Sequence, residues 1–199
     1  MLRKLMVSTL ILGLWACQQS YNPLADYELK EPSTLHDVPV FQSNYPAEQV
    51  QRGKYIAELL GCGTCHTDGA LVGSPDMKRQ FAGSSIGIAY SNPFVIKNPG
   101  VVYPANITPD IATGIGSWTD DNLVRLLRTG VDAHGRQQLP VMPWPGYAKM
   151  VEEDARSIVA FLRSLKPVNN MVPMNVDPGQ KAVSPFVHFG VYQSRQSIR

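Results

Sequence analysis

Gly61-Cys62-Gly63-Thr64-Cys65-His66 decides how the rest of the chain is read. Two thiols three residues apart, with a histidine adjoining the second, have the C-x-x-C-H spacing of covalent haem attachment. Each thiol can add to a vinyl group of one porphyrin, and the imidazole of His66 is then carried to the iron face as proximal ligand. Two other chemistries share part of the pattern. A redox-active C-x-x-C belongs near a βαβ pattern, which the sequence lacks, and a zinc site needs a second ligand pair that the three cysteines do not provide. The expectation is one covalent haem c on Cys62 and Cys65, with His66 on its iron.

Immediately upstream, Ala47 to Leu60 reads AEQVQRGKYIAELL, with Pro46 well placed as a first helical residue and Val50, Gly53, Ala57 and Leu60 at helical spacing. Gly53 and Ala57, four residues apart, narrow that face enough for another helix to come close. Its candidate partner lies near the end, where Val151, Ala155, Ile158, Val159, Leu162 and Leu165 form an apolar stripe on 152–166 and Pro167 stops the helix. A third helix is expected from Asp120 to Arg128, with Thr119 as N-cap, acidic residues in the first turn, Arg125 and Arg128 near the end and Gly130 just beyond. Segment 67–117 holds glycine and proline throughout without a clear strand pair, and 169–199 reads as an extended tail. There is no internal repeat and no low-complexity run.

The iron needs a sixth ligand or an open position, and the choice separates electron transfer from ligand chemistry. Met142 is the candidate. It lies in Leu139-Pro140-Val141-Met142-Pro143-Trp144-Pro145, where three prolines in six residues stiffen the backbone and remove amide donors, so an extended loop presents one side chain at a fixed depth. The competing reading makes Met142 a core residue, since methionine often fills gaps. Met150 starts a helical stripe and reads as core, while Met77, Met171 and Met174 lie in less constrained loops. His134, beside Gly135, is the rival nitrogen ligand but reads as an exposed turn residue, and His36 and His188 belong to tether and tail.

The first residues carry a different signal. Arg3 and Lys4 precede an apolar stretch from Leu5 to Leu14, too short for the ~20 residues that span a bilayer, so it reads as the hydrophobic region of a cleavable export signal. Leu14-Trp15-Ala16-Cys17 resembles the lipobox of bacterial lipoproteins, which predicts cleavage before Cys17 and lipidation there. The alternative, ordinary cleavage beside an incidental cysteine, leaves an unpaired thiol in an oxidising compartment. The expected organisation is a lipoprotein signal peptide at 1–16, a lipidated tether at 17–45, a haem domain at 46–168 and the tail at 169–199. The expected location is the periplasmic side of a bacterial cell envelope, lipid-anchored to the inner or outer membrane; Gln18 hints at outer-membrane sorting.

The chain carries 18 basic and 16 acidic residues, and the signal holds two of the basic ones, so the mature balance is even. No run of Lys or Arg forms a patch, which gives no electrostatic basis for nucleic-acid binding. With 44% hydrophobic and 17% charged residues, the 199-residue chain supports one compact core.

The chain resembles class I c-type cytochromes, and is similar to the single-haem domains that serve as electron-accepting subunits or partners of periplasmic dehydrogenases and respiratory complexes. The residues that carry the resemblance are Cys62-Gly63-Thr64-Cys65-His66-Thr67, Asn106-Ile107-Thr108-Pro109-Asp110, Thr113-Gly114-Ile115-Gly116-Ser117-Trp118, Arg128-Thr129-Gly130, Met142-Pro143-Trp144 and Ala160-Phe161-Leu162-Arg163-Ser164-Leu165. They span about 47–166 in the expected order. The resemblance implies an all-α cytochrome c-like fold, about three main helices around one haem with long loops. It places His66 and Met142 on opposite faces of the iron, and the loop from Asn106 to Trp118 against the haem edge, where Trp118 is a candidate donor to a propionate. Trp118 reads equally as an apolar staple on the third helix. Relatives of this kind place a Thr or Ser cap where Val151 stands, which predicts a weaker start to the last helix, by about 1 kcal/mol.

The leading functional expectation is an electron-transfer protein, not itself an enzyme, that carries single electrons from a dehydrogenase or quinol-oxidising complex to a downstream acceptor. The alternative from another class is a haem enzyme or gas sensor with an open sixth iron position. A third is a fixed subunit whose haem bridges two larger complexes.

Overall fold

Three residues before the C-x-x-C-H motif, helix α1 (Ala47–Leu59) gives up its helical path, because Leu60 and Gly61 turn the chain, Gly61 in the left-handed region at φ 68°. The computed structural model describes Val40 and residues 43–90 and 99–189. Cys17, His36, the signal and most of the tether lie outside the described residues. Four more helices follow: α2 (Cys62–His66), α3 (Asp120–Thr129), α4 (Trp144–Tyr147) and α5 (Glu152–Arg163), with 3-10 turns at Ala70–Val72 and Met77–Arg79. Among the described residues no helix is long and apolar enough to cross a membrane.

The core forms where α1 crosses α5. Val50, Ile56 and Ala57 of the first helix meet Ala155, Ile158, Val159 and Phe161 of the last, all buried. The crossing is close because Gly53 has no side chain: a Cβ there would lie 1.7 Å from the main-chain oxygen of Ser157. At the rim, Arg52 reaches Asp154 at 3.0 Å. Leu123, Val124 and Leu127 of α3 close a second side, and Phe81 packs edge-on against Phe161 with ring centroids 5.6 Å apart. The stripe expected on α5 is present except at Val151, which is exposed and stands at the N-cap without a side-chain hydrogen bond. Val151 precedes the first helical turn, so the period that buries Ala155 does not apply to it.

Helix α3 starts and stops as expected. Thr119 accepts from the Asn122 N–H, Asn122 reciprocates to the Thr119 N–H, and Gly130 ends the helix at φ 72°. Arg163 of α5 then locks the incoming loop to both helices: its guanidinium donates to the carbonyls of Ile115, at 2.8 Å, and Trp118, and to Asp120 at 3.0 Å.

The all-α expectation needs correction. Strands β1 (Gly87–Tyr90), β2 (Gly100–Val102) and β3 (Phe186–Phe189) form one small sheet in the order β2-β1-β3. β1 pairs antiparallel with β2, Ile88 opposite Val102, and parallel with β3, Gly87 opposite Phe186. The segment read as a tail therefore supplies a strand, and Val176 pairs with Val101 at the other edge. Ala89, Val101 and Tyr103 are buried beneath it as a satellite core.

Candidate functional site

Both cysteines of the motif are half-buried and free, with no disulfide between them. Burial pushes the Cys62 thiol up to about 11 and raises Cys65 as well. A disulfide oxidoreductase lowers the pKa of its attacking thiol, so this pair has the opposite character and stays neutral at pH 7. Among the described residues no three His, Cys, Asp or Glu side chains gather as a metal cage. What the pair and its histidine do fit is a group that brings most of its own metal ligands and bonds to sulfur.

His66 ends α2, and its ring is held from the side. The loop residues 81–84 and 104–107 run together through Ser84 N–H to Pro104 O at 3.0 Å and Ile107 N–H to Phe81 O at 2.9 Å. Between those bonds, Ala105 turns its carbonyl to the imidazole, and Nδ1 of His66 lies 2.7 Å from it. A carbonyl only accepts, so Nδ1 carries the proton and Nε2 keeps its lone pair for a metal. Burial lowers the His66 pKa against the opposing pull of that hydrogen bond, which favours the neutral, ligating ring. The same strands are tied to the motif by Gly83 N–H to His66 O at 2.9 Å and by Thr67, whose hydroxyl accepts from Phe81 N–H at 3.2 Å. Phe81 itself is in the left-handed region at φ 61°, held there by those bonds and by Phe161. Nothing in the sequence marks that conformation, and Ala105 acts through its main chain alone, so neither residue had a signal to be found by.

The 139–147 segment carries the candidate methionine. Met142 is half-buried and packs against the main core, as do Cys62, Trp118, Tyr147 and Met150. The segment is less extended than expected: Pro145 sits in the first turn of the short helix α4, where its missing N–H leaves nothing unpaired. Tyr147 is close enough to the thiols of Cys62 and Cys65 for their charges to reach it, and burial first and those charges second push its hydroxyl up to about 12. Met142 and Cys62 thus pack against the same core cluster. Of the other sulfurs, Met171 and Met174 are exposed, and Met77 accepts from Gln80 in a surface turn. His134 is exposed, edge-on to Trp118 at 6.1 Å.

Trp118 stands immediately before the N-cap of α3. It packs on the core, its carbonyl binds Arg163, and its ring remains half-exposed beside His134. Asn106 is tied into its own loop and to the segment after α5. Its amide donates to Thr113 Oγ1 at 3.0 Å and Val168 O at 2.7 Å, and its oxygen accepts from Thr108 N–H at 3.0 Å and Thr108 Oγ1 at 2.7 Å. Its side-chain donors and acceptors are therefore all engaged within the protein.

Relatives of this chain are cytochrome subunits of bacterial dehydrogenases, which implies a cytochrome c-like fold. No family model matches the chain. It is 36% identical over 121 residues to the cytochrome c subunit of the quinone-dependent alcohol dehydrogenase of Gluconobacter oxydans, covering 60% of this chain and 22% of that one. It is 34% identical over 125 residues to the fructose dehydrogenase cytochrome subunit of Gluconobacter japonicus, covering 62% and 23%. To the gluconate 2-dehydrogenase cytochrome c subunit of Pantoea cypripedii it is 36% identical over 120 residues, covering 60% and 24%. The match thus spans about a quarter of the length of these relatives.

Proposed function

We propose that this chain is an electron-transfer subunit carrying one haem c, bound covalently through Cys62 and Cys65 and ligated by His66 and Met142. The observation that carries the proposal is the C-x-x-C-H motif whose histidine is held by Ala105 with Nε2 free for iron. A bound haem supplies reversible one-electron chemistry at iron. The chain's own residues do the rest: Cys62 and Cys65 would hold the macrocycle through their sulfurs, Ala105 orients the His66 imidazole, and Met142 in the 139–147 segment would supply the second protein ligand. Methionine–histidine ligation leaves no open iron position and raises the potential relative to two histidines, which suits electron exchange with protein partners.

The similarity to cytochrome subunits of dehydrogenases supports a dehydrogenase as electron donor, with a further redox protein downstream. With the export signal and Cys17, the reading extends to a lipoprotein attached to the membrane on the periplasmic side. Expression in cells able to mature c-type haem tests the core of this. The expected outcome is haem that stays with the chain after denaturation and solvent extraction, a low-spin reduced spectrum, and no carbon monoxide binding. Rapid carbon monoxide binding by the native reduced protein instead identifies an open sixth position and favours the enzyme or sensor reading.

A further inference from the structure

A thioether is a weak ligand, so a methionine that serves iron has to be held in place by its surroundings. Three contacts converge on the residue two positions after Met142. The indole N–H of Trp144 donates to the main-chain oxygen of Gln138 at 3.1 Å, closing residues 138–144 into a ring that contains Met142. Gln138 is itself bound to the end of α3, its N–H donating to Gly130 O at 2.8 Å. The indole also lies against Gly130, so closely that a Cβ there would come within 2.5 Å and 2.6 Å of Trp144 Cδ2 and Cε2. Inside the ring, Trp144 N–H donates to Met142 O at 2.7 Å. Loop 138–144 is therefore fastened at both ends to one another and to a helix terminus.

We propose that Trp144 is the positioning residue for Met142: its indole clasps the 138–144 loop onto Gly130 and fixes the depth at which the sulfur is presented. This rests on the proposed ligation of iron by Met142. The glycine after α3 and the tryptophan beside the methionine then form one device, in which Gly130 is required both for its backbone conformation and for the space the indole fills.

The test uses the full haem-loaded protein in the ferric state, titrated with imidazole as a competing ligand, with the methionine-to-iron charge-transfer absorption followed in parallel. Trp144→Phe keeps an aromatic ring near Gly130 and removes the N–H together with part of the indole. It is expected to raise imidazole affinity about tenfold, the equivalent of one neutral hydrogen bond, and to weaken the charge-transfer band. Met142→Ala is expected to raise the affinity further and abolish the band. Asn175→Ala is the control for general loosening, since it loses the 2.9 Å bond from the Tyr103 N–H in the satellite core and shares no hydrogen bond with the loop. Unchanged imidazole affinity in Trp144→Phe alongside a rise in Met142→Ala overturns the positioning role while the ligation stands. An equal rise in Asn175→Ala and Trp144→Phe also overturns it. An intact band in Met142→Ala removes the ligation itself, and the proposal with it.

Discussion

Nδ1 of His66 and the main-chain oxygen of Ala105 stand 2.7 Å apart, and the acceptor is held by main chain on both sides. Gly83 is central to that frame. Its N–H binds His66 O, its φ is +85°, and a Cβ on it would lie 2.8 Å from both Asn106 N and Pro104 O. Gly83→Ala thus combines left-handed strain, about 1 kcal/mol, with overpacking of about 1–3 kcal/mol. The expected loss is about 2–4 kcal/mol in denaturant unfolding. In the haem-loaded protein a loosened His66–Ala105 bond makes the imidazole a poorer donor to ferric iron, so the reduction potential should rise. Wild-type stability and potential in the variant would sink this account of the frame.

The α1–α5 crossing makes an equally sharp prediction. At Gly53 an added Cβ meets the Ser157 carbonyl at 1.7 Å, and the obstacle is backbone, so no rotamer change relieves it. Gly53→Ala should cost about 3 kcal/mol or more by forcing the helices apart. Glu48→Ala on the same helix, at an exposed position, should change little. Equal melting temperatures for Gly53→Ala and wild type would mean the helices do not cross at this residue.

These two sites differ in how far sequence could anticipate them. Gly53 and Ala57 announced a close approach because helical spacing put both on one face, and Thr119 and Gly130 marked the ends of α3 by capping chemistry that acts within a few residues. Gly83 announced nothing, since its constraint comes from Pro104 and Asn106 some twenty residues on. The sheet was hidden for a related reason. Its strands are three or four residues long, β1 is buried at three successive positions and so does not alternate, and β3 arrives from nearly a hundred residues away. Helix α4 was masked by Pro145 and Gly146, which read as loop unless the first-turn position is known. The proposed ligands Cys62, Cys65, His66 and Met142 stand out in the sequence by residue type and local pattern. Ala105, Trp144 and Arg163 act through main-chain partners or packing, which no motif encodes.

Asp132 predicts a pH dependence. Its carboxylate is only 2% exposed and accepts from the N–H groups of His134 and Arg136, both at 2.9 Å, from Arg136 Nε at 2.9 Å and from Gln138 Nε2 at 3.1 Å. Burial alone would raise its pKa, but the hydrogen bonds from Arg136 and His134 outweigh it and hold the carboxyl below the usual range. A folded pKa below the unfolded one means the contribution is present above the unfolded value, about 3.9, and is lost as pH falls through the folded value. Asp132→Asn should therefore be destabilised at neutral pH, by about 1–3 kcal/mol, because an amide cannot accept all four bonds. Its melting temperature should fall less steeply than that of wild type on acidification below about pH 4. Parallel curves for the two proteins would show that Asp132 is not the group titrating.

The last prediction concerns the C-terminal segment, which the structure treats as part of the fold. Tyr103 is buried at 4% exposure, with its N–H donating to Asn175 Oδ1 at 2.9 Å and its hydroxyl to Ser184 O at 3.0 Å. Further up, the Asn170 amide binds Ala82 O at 2.7 Å, beside the frame that holds His66. Removing 169–199 takes away these partners together with β3, leaving buried donors and acceptors unpaired at about 1–3 kcal/mol each. Asn175→Ala separates the hydrogen bond from the strand: the Tyr103 N–H loses its acceptor while β3 keeps its pairing. That variant should lose about 1–3 kcal/mol and show faster exchange of the Tyr103 amide hydrogen, whereas the truncation should no longer unfold as one cooperative unit. If the truncated protein instead melts in a single transition at the wild-type temperature, the segment is an appendage and the satellite core beneath the sheet holds itself together.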